Sequence, residues 1–240
     1  MGSIAPLNRN PLAAGFYTVP EAARLIEVGD ARRIYGWLRG YPGSAMGPLI
    51  RRDFQPIDGD EELSFLDLME MRAIEYFRDH GVKARTMRRA LEEARDYLKA
   101  EHPFATDHIA FRADEKFVYI DDILKRSAKE EHDRLLYNLI TKRFESYTLL
   151  KETITRGVEF DPGTHLPRQW TPRAAFPTVK INPRVSYGRP ALASGIATIT
   201  LYDAWRAEGG NYDEVAYWFG VPSNDVQAAV EFEEELAKAA

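Results

Sequence analysis

The sequence predicts a mainly α-helical protein with small β elements. An N-terminal winged helix-turn-helix, a central β-hairpin plus helix, and a C-terminal helix-turn-helix-like three-helix domain are expected. Helix start and stop signals recur at both ends of the chain, and two apolar segments flank a short turn in its middle. With 240 residues, 45% hydrophobic and 29% charged, the composition is that of an ordinary globular protein. The expected division is a leader at 1–15, a DNA-binding domain at 16–100, a spacer at 101–165 and a C-terminal domain at 166–240.

Composition excludes several classes of protein. No apolar run is long enough to predict a membrane span, and the N-terminus lacks the pattern of a signal peptide, so a cytoplasmic location is expected. The sequence has no cysteine, which removes disulfides, thiolate metal sites and cysteine nucleophiles. The net charge of -5 gives no support by itself to nucleic-acid binding.

Two short helices are predicted near the N-terminus. Thr18 and Glu21 have the spacing of a capping box before a helix over 22–27. Asp30 can cap a second helix over 31–39, which stops at the Gly- and Pro-bearing residues that follow. Two short helices joined by a tight turn are typical of a helix-turn-helix.

The second helix has a basic and aromatic outer face, because Ile34, Trp37 and Leu38 take the core spacing. A short strand at 49–50 followed by two arginines predicts a wing. Cations on such elements can contact phosphates or base edges. The candidate DNA-binding residues are Thr18, Arg32, Arg33, Tyr35, Arg39, Arg51 and Arg52. The alternative is that these arginines only form a solvated helix face.

Three strings carry a resemblance to a known family: YTVPEAARL at 17–25, IYGWLRG at 34–40, and GVK at 81–83 before an Arg-rich helix. They resemble the MerR-type winged helix over residues 16 to about 100. The resemblance implies that 31–39 is a recognition helix and that Arg51 and Arg52 belong to the wing. The loop at 41–48 departs from the pattern, since it is longer and richer in Gly and Pro.

The middle of the chain offers no catalytic motif. Segments 109–113 and 117–120 around Asp114–Lys116 predict a hairpin, and a helix over 123–147 is expected next. His80, His102, His108 and His165 fall in no HExxH or HxH spacing, and no phosphate-binding loop or GxSxG is present. No enzyme activity, no metal and no cofactor are therefore predicted.

The C-terminal third contains a basic segment followed by an acidic one. Residues 168–189 carry five basic residues and no acid, and six prolines between 161 and 190 predict a linker or extended arm. Residues 201–240 carry nine acids against two bases, so they should not face a phosphate backbone.

Short strands at 178–181 and 197–200 are expected, then a helix over 201–207. Asn211 caps the next helix, Gly220 ends it, and Val226, Ala229 and Val230 anchor the last one. The helices around the Gly220 turn have the arrangement of a second helix-turn-helix.

A second resemblance spans about residues 166–240. It rests on INPRVSYGRP at 181–190, GIAT at 195–198, DEVA at 213–216, GV at 220–221 and DV at 225–226. These strings resemble the bacterial antitoxin domain known as domain of unknown function four-three-three. The order of the predicted domains is similar to that of VapB-type antitoxins, which pair with a PIN-like ribonuclease toxin and repress their own operon.

The resemblances together predict a dimeric antitoxin with two partners, operator DNA and a PIN-like toxin. An arginine side chain can fill an acidic nuclease cleft, because its guanidinium offers five hydrogen-bond donors to carboxylates. The tentative toxin-binding residues are Arg168, Arg173, Arg184 and Arg189. The arm could instead only pack on its own domain. A stand-alone MerR-like regulator with a ligand- or partner-binding C-terminal domain is the alternative function, and a purely structural adaptor is a third.

Overall fold

The computed structural model describes residues 15–41, 43, 47–56, 59–112, 117–121, 135–138, 143–146 and 155–238. Within them the protein is mainly helical with small antiparallel sheets, as predicted. The helices are α1 (Val19–Leu25), α2 (Arg32–Arg39), α3 (Phe65–Asp79), α4 (Ala84–Leu98), α5 (Thr198–Ala207), α6 (Tyr212–Phe219) and α7 (Ser223–Lys238). The strands are β1 (Tyr17–Thr18), β2 (Glu62–Leu63), β3 (Ile109–Arg112), β4 (Phe117–Asp121), β5 (Leu135–Asn138), β6 (Arg143–Ser146), β7 (Val158–Phe160), β8 (Pro167–Trp170), β9 (Lys180–Ile181) and β10 (Pro190–Ala191).

The chain divides into two compact units. The first unit takes Met1–Arg33, Arg52–Phe65 and Arg168–Ala240, and the second takes Ile34–Arg51 and Leu66–Pro167. Residues 16–100 therefore contribute to both units. The domain bounds expected from the sequence, each a continuous stretch, stay a prediction.

The first unit is built around the C-terminal helices. Helices α5 and α6 pack on α7, and α1 also contacts α7. The helices of this unit bury Leu25, Leu201, Val215, Val226 and Phe232, and burial of such side chains is the main source of stability. Strands β8, β9 and β10 pair antiparallel beside them, while β1 pairs with β2 through Tyr17 and Leu63.

Local capping explains where α1 begins and where α6 begins and ends, and confirms these caps predicted from the sequence. The Thr18 hydroxyl and the Glu21 carboxylate form the full capping box of α1. Asn211 accepts hydrogen bonds from the backbone N–H groups of Asp213 and Glu214 at the start of α6. Gly220 ends α6 with φ 64°, a left-handed conformation that glycine adopts without a steric penalty.

The second unit contains α3, α4 and the antiparallel sheet β3-β4-β5-β6. Ion pairs join its helices internally. Glu70 on α3 is fully buried, and its carboxylate lies 3.5 Å from Arg95 of α4 and 3.4 Å from Nδ1 of His102. Burial lowers the pKa of Arg95, and the neighbouring Glu70 partly offsets this effect. Buried charges of this kind are tolerated only when they are paired.

The predicted wing strand at 49–50 is wrong, because the described residues 47–56 contain no strand. The backbone N–H groups of Leu49 and Ile50 both donate to the carbonyl of Trp37, at 2.7 and 3.2 Å. Arg88 of α4 donates to the carbonyls of Gly47 and Pro48. The N–H groups of Leu49 and Ile50 thus cap the last turn of α2 and are not available to a β-ladder.

The two strands of the hairpin predicted in the middle of the chain are confirmed, whereas its turn at 114–116 lies outside the described residues. The helix predicted over 123–147 is wrong at the described residues of that range. Strand β3 pairs antiparallel with β4, with Ile109 opposite Ile120. Strands β5 and β6 lie within the range 123–147 and extend the same sheet, with Tyr137 opposite Phe144. Aromatic residues favour strands, and β5 satisfies the backbone groups that β4 would otherwise leave open at an edge.

The C-terminal third differs from the prediction at two places. The stretch 197–200 is not a strand, because Ala197 is the N-cap residue of α5. The proline-bearing segment is not a linker, since β8, β9 and β10 lie within it and Trp170 and Ile181 are buried. The expected strand at 178–181 is present as β9. Among the described residues, no helix combines the length and the apolar character needed to cross a bilayer.

Candidate nucleic-acid and partner surfaces

Helix α2 buries one face and exposes cations on the other. Ile34, Trp37 and Leu38 are buried, whereas Arg32 and Arg39 are exposed. The helical repeat places positions three or four apart on the same face, so the partly exposed Tyr35 lies on the same side as the two arginines. The outer face of α2 is thus basic and aromatic, as the sequence predicts.

Asp30 holds the first of these cations in place. Its carboxylate accepts from both the backbone N–H and the Nε–H of Arg32, at 3.0 Å each. The hydrogen bond from the Arg32 side chain lowers the pKa of Asp30 below its ordinary value. The Arg32 side chain is 90% exposed, and an ion pair in such a position contributes little to stability. It can therefore be exchanged for a phosphate at low cost.

The second cation is oriented by an aromatic ring. The guanidinium carbon of Arg39 lies 5.0 Å from the centre of the Tyr35 ring, within the range of a cation–π interaction. Arg33, the remaining basic residue of the helix, is half-buried, and its backbone N–H donates to the carbonyl of Asp30.

The other candidate DNA-binding residues differ in how available they are to DNA, and Thr18 and Arg51 are the exposed ones. Thr18 is committed to the capping box of α1. Arg52 is 20% exposed and forms an ion pair with Glu61, which is almost fully buried. Arg51 is exposed and lies 3.7 Å from the Glu101 carboxylate, which is exposed as well. Of these three residues, only Arg51 has a cation directed to solvent.

The four candidate toxin-binding arginines also differ in their exposure to solvent. Arg168, Arg184 and Arg189 are exposed. Arg173 is 10% exposed, and its guanidinium donates to the backbone carbonyls of Leu25 and Arg24 at the end of α1. It also forms ion pairs with Glu27 and Glu235. Arg173 therefore caps α1 inside the first unit.

The turn residues in the string INPRVSYGRP also serve the fold. Gly188 adopts φ 83°, and a Cβ atom at this position would lie 2.5 Å from the Tyr17 hydroxyl oxygen. The buried Tyr17 hydroxyl donates to the Gly188 carbonyl at 2.7 Å. Burial, and secondarily the charge of Glu21, raise the pKa of Tyr17. The glycine is thus required by close packing against Tyr17.

Helix α6 exposes two large aromatic side chains that the sequence analysis did not select. Tyr217 is 85% exposed and Trp218 is 60% exposed. The Trp218 indole N–H donates to Glu214 one turn earlier, and Asp213 is exposed on the same helix. Exposed Trp and Tyr are the residue types that dominate protein–protein interfaces. The buried residues of this short helix are Val215 and Ala216. The two aromatic residues that directly follow them in the sequence were the signal that could have indicated an exposed aromatic surface.

Comparison with known proteins identifies a shared fold. No protein family and no curated protein matches the sequence. The chain is similar to the X-ray crystal structure of Rv2018 from Mycobacterium tuberculosis, with a TM-score of 0.60 and 18% sequence identity. The similarity covers 89% of this chain and 96% of that one. At this identity the similarity shows the fold.

Proposed function

We propose that this protein is a DNA-binding antitoxin that represses its own operon and neutralises a PIN-like ribonuclease. The observation that carries the proposal is the outer face of α2, where Arg32 and Arg39 flank Tyr35 on a helix whose opposite face is buried. A short helix with cations on its solvent side has the residue types that contact phosphates and base edges in a major groove.

The DNA-binding role requires a dimer. Each protomer offers few accessible cations on this face, namely Arg32 and Arg39 on α2, so the affinity of one copy for phosphates is modest. Two copies related by a twofold axis double the number of contacts. The operator is then an inverted repeat whose half-sites lie about 34 Å apart, or a multiple of that distance.

The C-terminal helices support a protein partner rather than DNA. Residues 201–240 carry a net charge of -7, from nine acids and two bases, and this charge repels phosphates. A ribonuclease must attract phosphates, so basic surface is expected around its active site. The exposed Tyr217 and Trp218 beside Asp213 and Glu214 therefore form a suitable contact for such a toxin.

The accessible arginines of the 168–189 segment support direct inhibition of the nuclease. A PIN-like nuclease holds its divalent metal with carboxylates, and a guanidinium can bind such carboxylates with two parallel hydrogen bonds. Arg168, Arg184 and Arg189 remain candidates because their side chains are exposed. Arg173 is left out because its donors are committed to the end of α1.

Two variants separate the two activities. The triple variant Arg168→Ala, Arg184→Ala, Arg189→Ala is expected to bind a fragment of the gene's own promoter normally, but to lose inhibition of the nuclease encoded beside it. The double variant Arg32→Ala, Arg39→Ala is expected to do the opposite. Fluorescence anisotropy with the promoter fragment and an RNA-cleavage assay with the co-expressed toxin give the two readouts.

The same assays test the competing functions. Promoter binding without inhibition of the neighbouring gene product, in the unaltered protein, would support a stand-alone regulator. Absence of both activities would support a structural adaptor and contradict the proposal.

A further inference from the structure

His165 meets the adjacent pair Asp107 and His108 within the second unit, although it lies 58 positions after Asp107 in the sequence. Nδ1 of His165 lies 3.0 Å from Oδ1 of Asp107, and Nδ1 of His108 lies 4.0 Å from the same oxygen. The rings of His108 and His165 are 4.2 Å apart, centre to centre. One potential ligand atom from each residue lies within 4.8 Å of the other two.

Backbone hydrogen bonds hold these three residues close together. His165 belongs to the tight loop after β7, where the Asp161 carboxylate accepts from the backbone N–H groups of Gly163 and Thr164. The backbone N–H of His165 donates to the Asp161 carbonyl at 2.8 Å, and that of Asp107 donates to the His165 carbonyl at 3.3 Å. The loop is therefore bonded directly to the segment that precedes β3.

We propose that Asp107, His108 and His165 bind a divalent transition-metal ion of the zinc class. Bonds of about 2.0–2.2 Å from one ion to nitrogen and oxygen ligands place those ligands roughly 3–4 Å from one another. The 3.0 and 4.0 Å separations fit this range. Two imidazoles and one carboxylate suit zinc, whereas magnesium and calcium prefer oxygen ligands alone.

Burial and access also fit an ion site. The His108 side chain is 9% exposed, whereas those of Asp107 and His165 are each 29% exposed. An ion can thus enter from solvent and find one ligand already fixed in the interior. Three protein ligands leave one tetrahedral position for water.

Ion binding changes which ring nitrogen of His165 carries the proton. An ionised carboxylate only accepts hydrogen bonds, so Nδ1 of His165 carries the proton in its contact with Asp107. When this nitrogen takes the metal, the single N–H of the neutral ring is carried by Nε2 instead, since a ligating imidazole nitrogen must be unprotonated. The ion then replaces a hydrogen bond that joins residues 58 positions apart.

This site can be tested by zinc titration of the whole chain, after a chelator has removed any bound metal. Competition with a chromophoric chelator should give one zinc ion per chain, and cobalt should give the visible absorption of a four-coordinate site. Asp107→Asn and His165→Asn should each weaken zinc binding about 100-fold or more, because loss of a mere second-shell partner already costs 10- to 100-fold. Asparagine tolerates the φ of 60° at position 165, and circular dichroism checks that each variant is folded.

The matched control is His80→Ala, which removes a histidine of the same unit that bonds the Tyr76 carbonyl. This variant should bind zinc like the unaltered protein. Zinc should also raise the melting temperature of the unaltered protein but not that of His165→Asn. Zinc binding that is absent, or equal in His165→Asn and the unaltered protein, would overturn the proposal.

Discussion

The guanidinium of Arg173 lies 3.0 Å from the backbone carbonyl oxygen of Leu25, 148 positions earlier in the chain. It also reaches the Arg24 carbonyl at 3.2 Å. The last carbonyls of a helix have no intrahelical partner, and a cation at this end also complements the helix dipole. One side chain from the C-terminal third thus caps the C-terminal end of a helix near the N-terminus.

Replacing Arg173 should therefore destabilise the first unit. Arg173→Ala is expected to lower the free energy of unfolding by roughly 2–3 kcal/mol, since hydrogen bonds from charged donors contribute about 1.5–3 kcal/mol. Chemical denaturation followed by circular dichroism measures the change. Arg184→Ala, which removes an exposed arginine of the same segment, should change stability by less than about 0.5 kcal/mol. Equal effects of the two substitutions would refute the capping role.

Tyr17 provides a test that depends on pH. Burial raises the pKa of its hydroxyl in the folded protein, whereas an unfolded tyrosine ionises near pH 10. The unfolded state therefore loses this proton first, and the contribution of Tyr17 to stability is present below about pH 10 and lost as pH rises above it. Tyr17→Phe should remove this part of the alkaline loss of stability.

At neutral pH the same substitution should cost roughly 1–2 kcal/mol, because it leaves the buried Gly188 carbonyl without its donor. Denaturation at pH 7 and at pH 10.5 gives both quantities. Tyr187→Phe is the control, since that ring is exposed. A Tyr17→Phe protein with the alkaline profile of the unaltered protein would contradict this explanation.

Arg51 and Arg52 are neighbours in the sequence but should behave differently. Arg52→Ala leaves the buried Glu61 carboxylate without its cation, and breaking such a pair costs about 3 kcal/mol or more. Arg51→Ala should change stability little, because both partners of its ion pair are exposed. Thermal unfolding distinguishes the two variants. Adding Glu61→Gln to Arg52→Ala should recover part of the loss, and no recovery would mean that the pair is not the cause.

The sequence predicts most of the helical part of this fold, because caps and apolar periodicity are local signals. Thr18 with Glu21, and Asn211 with Gly220, define helix ends from residues less than ten positions apart. The outer face of α2 follows from the same periodicity. Helix termini and faces are therefore readable without knowledge of the tertiary structure.

Features that depend on distant partners were not predicted. Leu49 and Ile50 have the residue types of a strand, but their N–H groups are taken by the Trp37 carbonyl. Strands β5 and β6 form where a helix was expected because the edge of β4 can be paired there. The cluster of Asp107, His108 and His165 joins positions 58 residues apart, a separation that no short motif describes.

The salt dependence of promoter binding tests most directly whether α2 contacts DNA. We expect Arg32→Ala with Arg39→Ala to weaken binding across all sequences and to reduce the slope of log K against log salt by about one unit per lost phosphate contact. For a dimer that loses two contacts in each protomer, the reduction is about four units. Arg184→Ala with Arg189→Ala, which removes the same charge from a different surface, should leave the slope unchanged. Equal slopes for the α2 variant and the unaltered protein would contradict the claim that this helix contacts DNA.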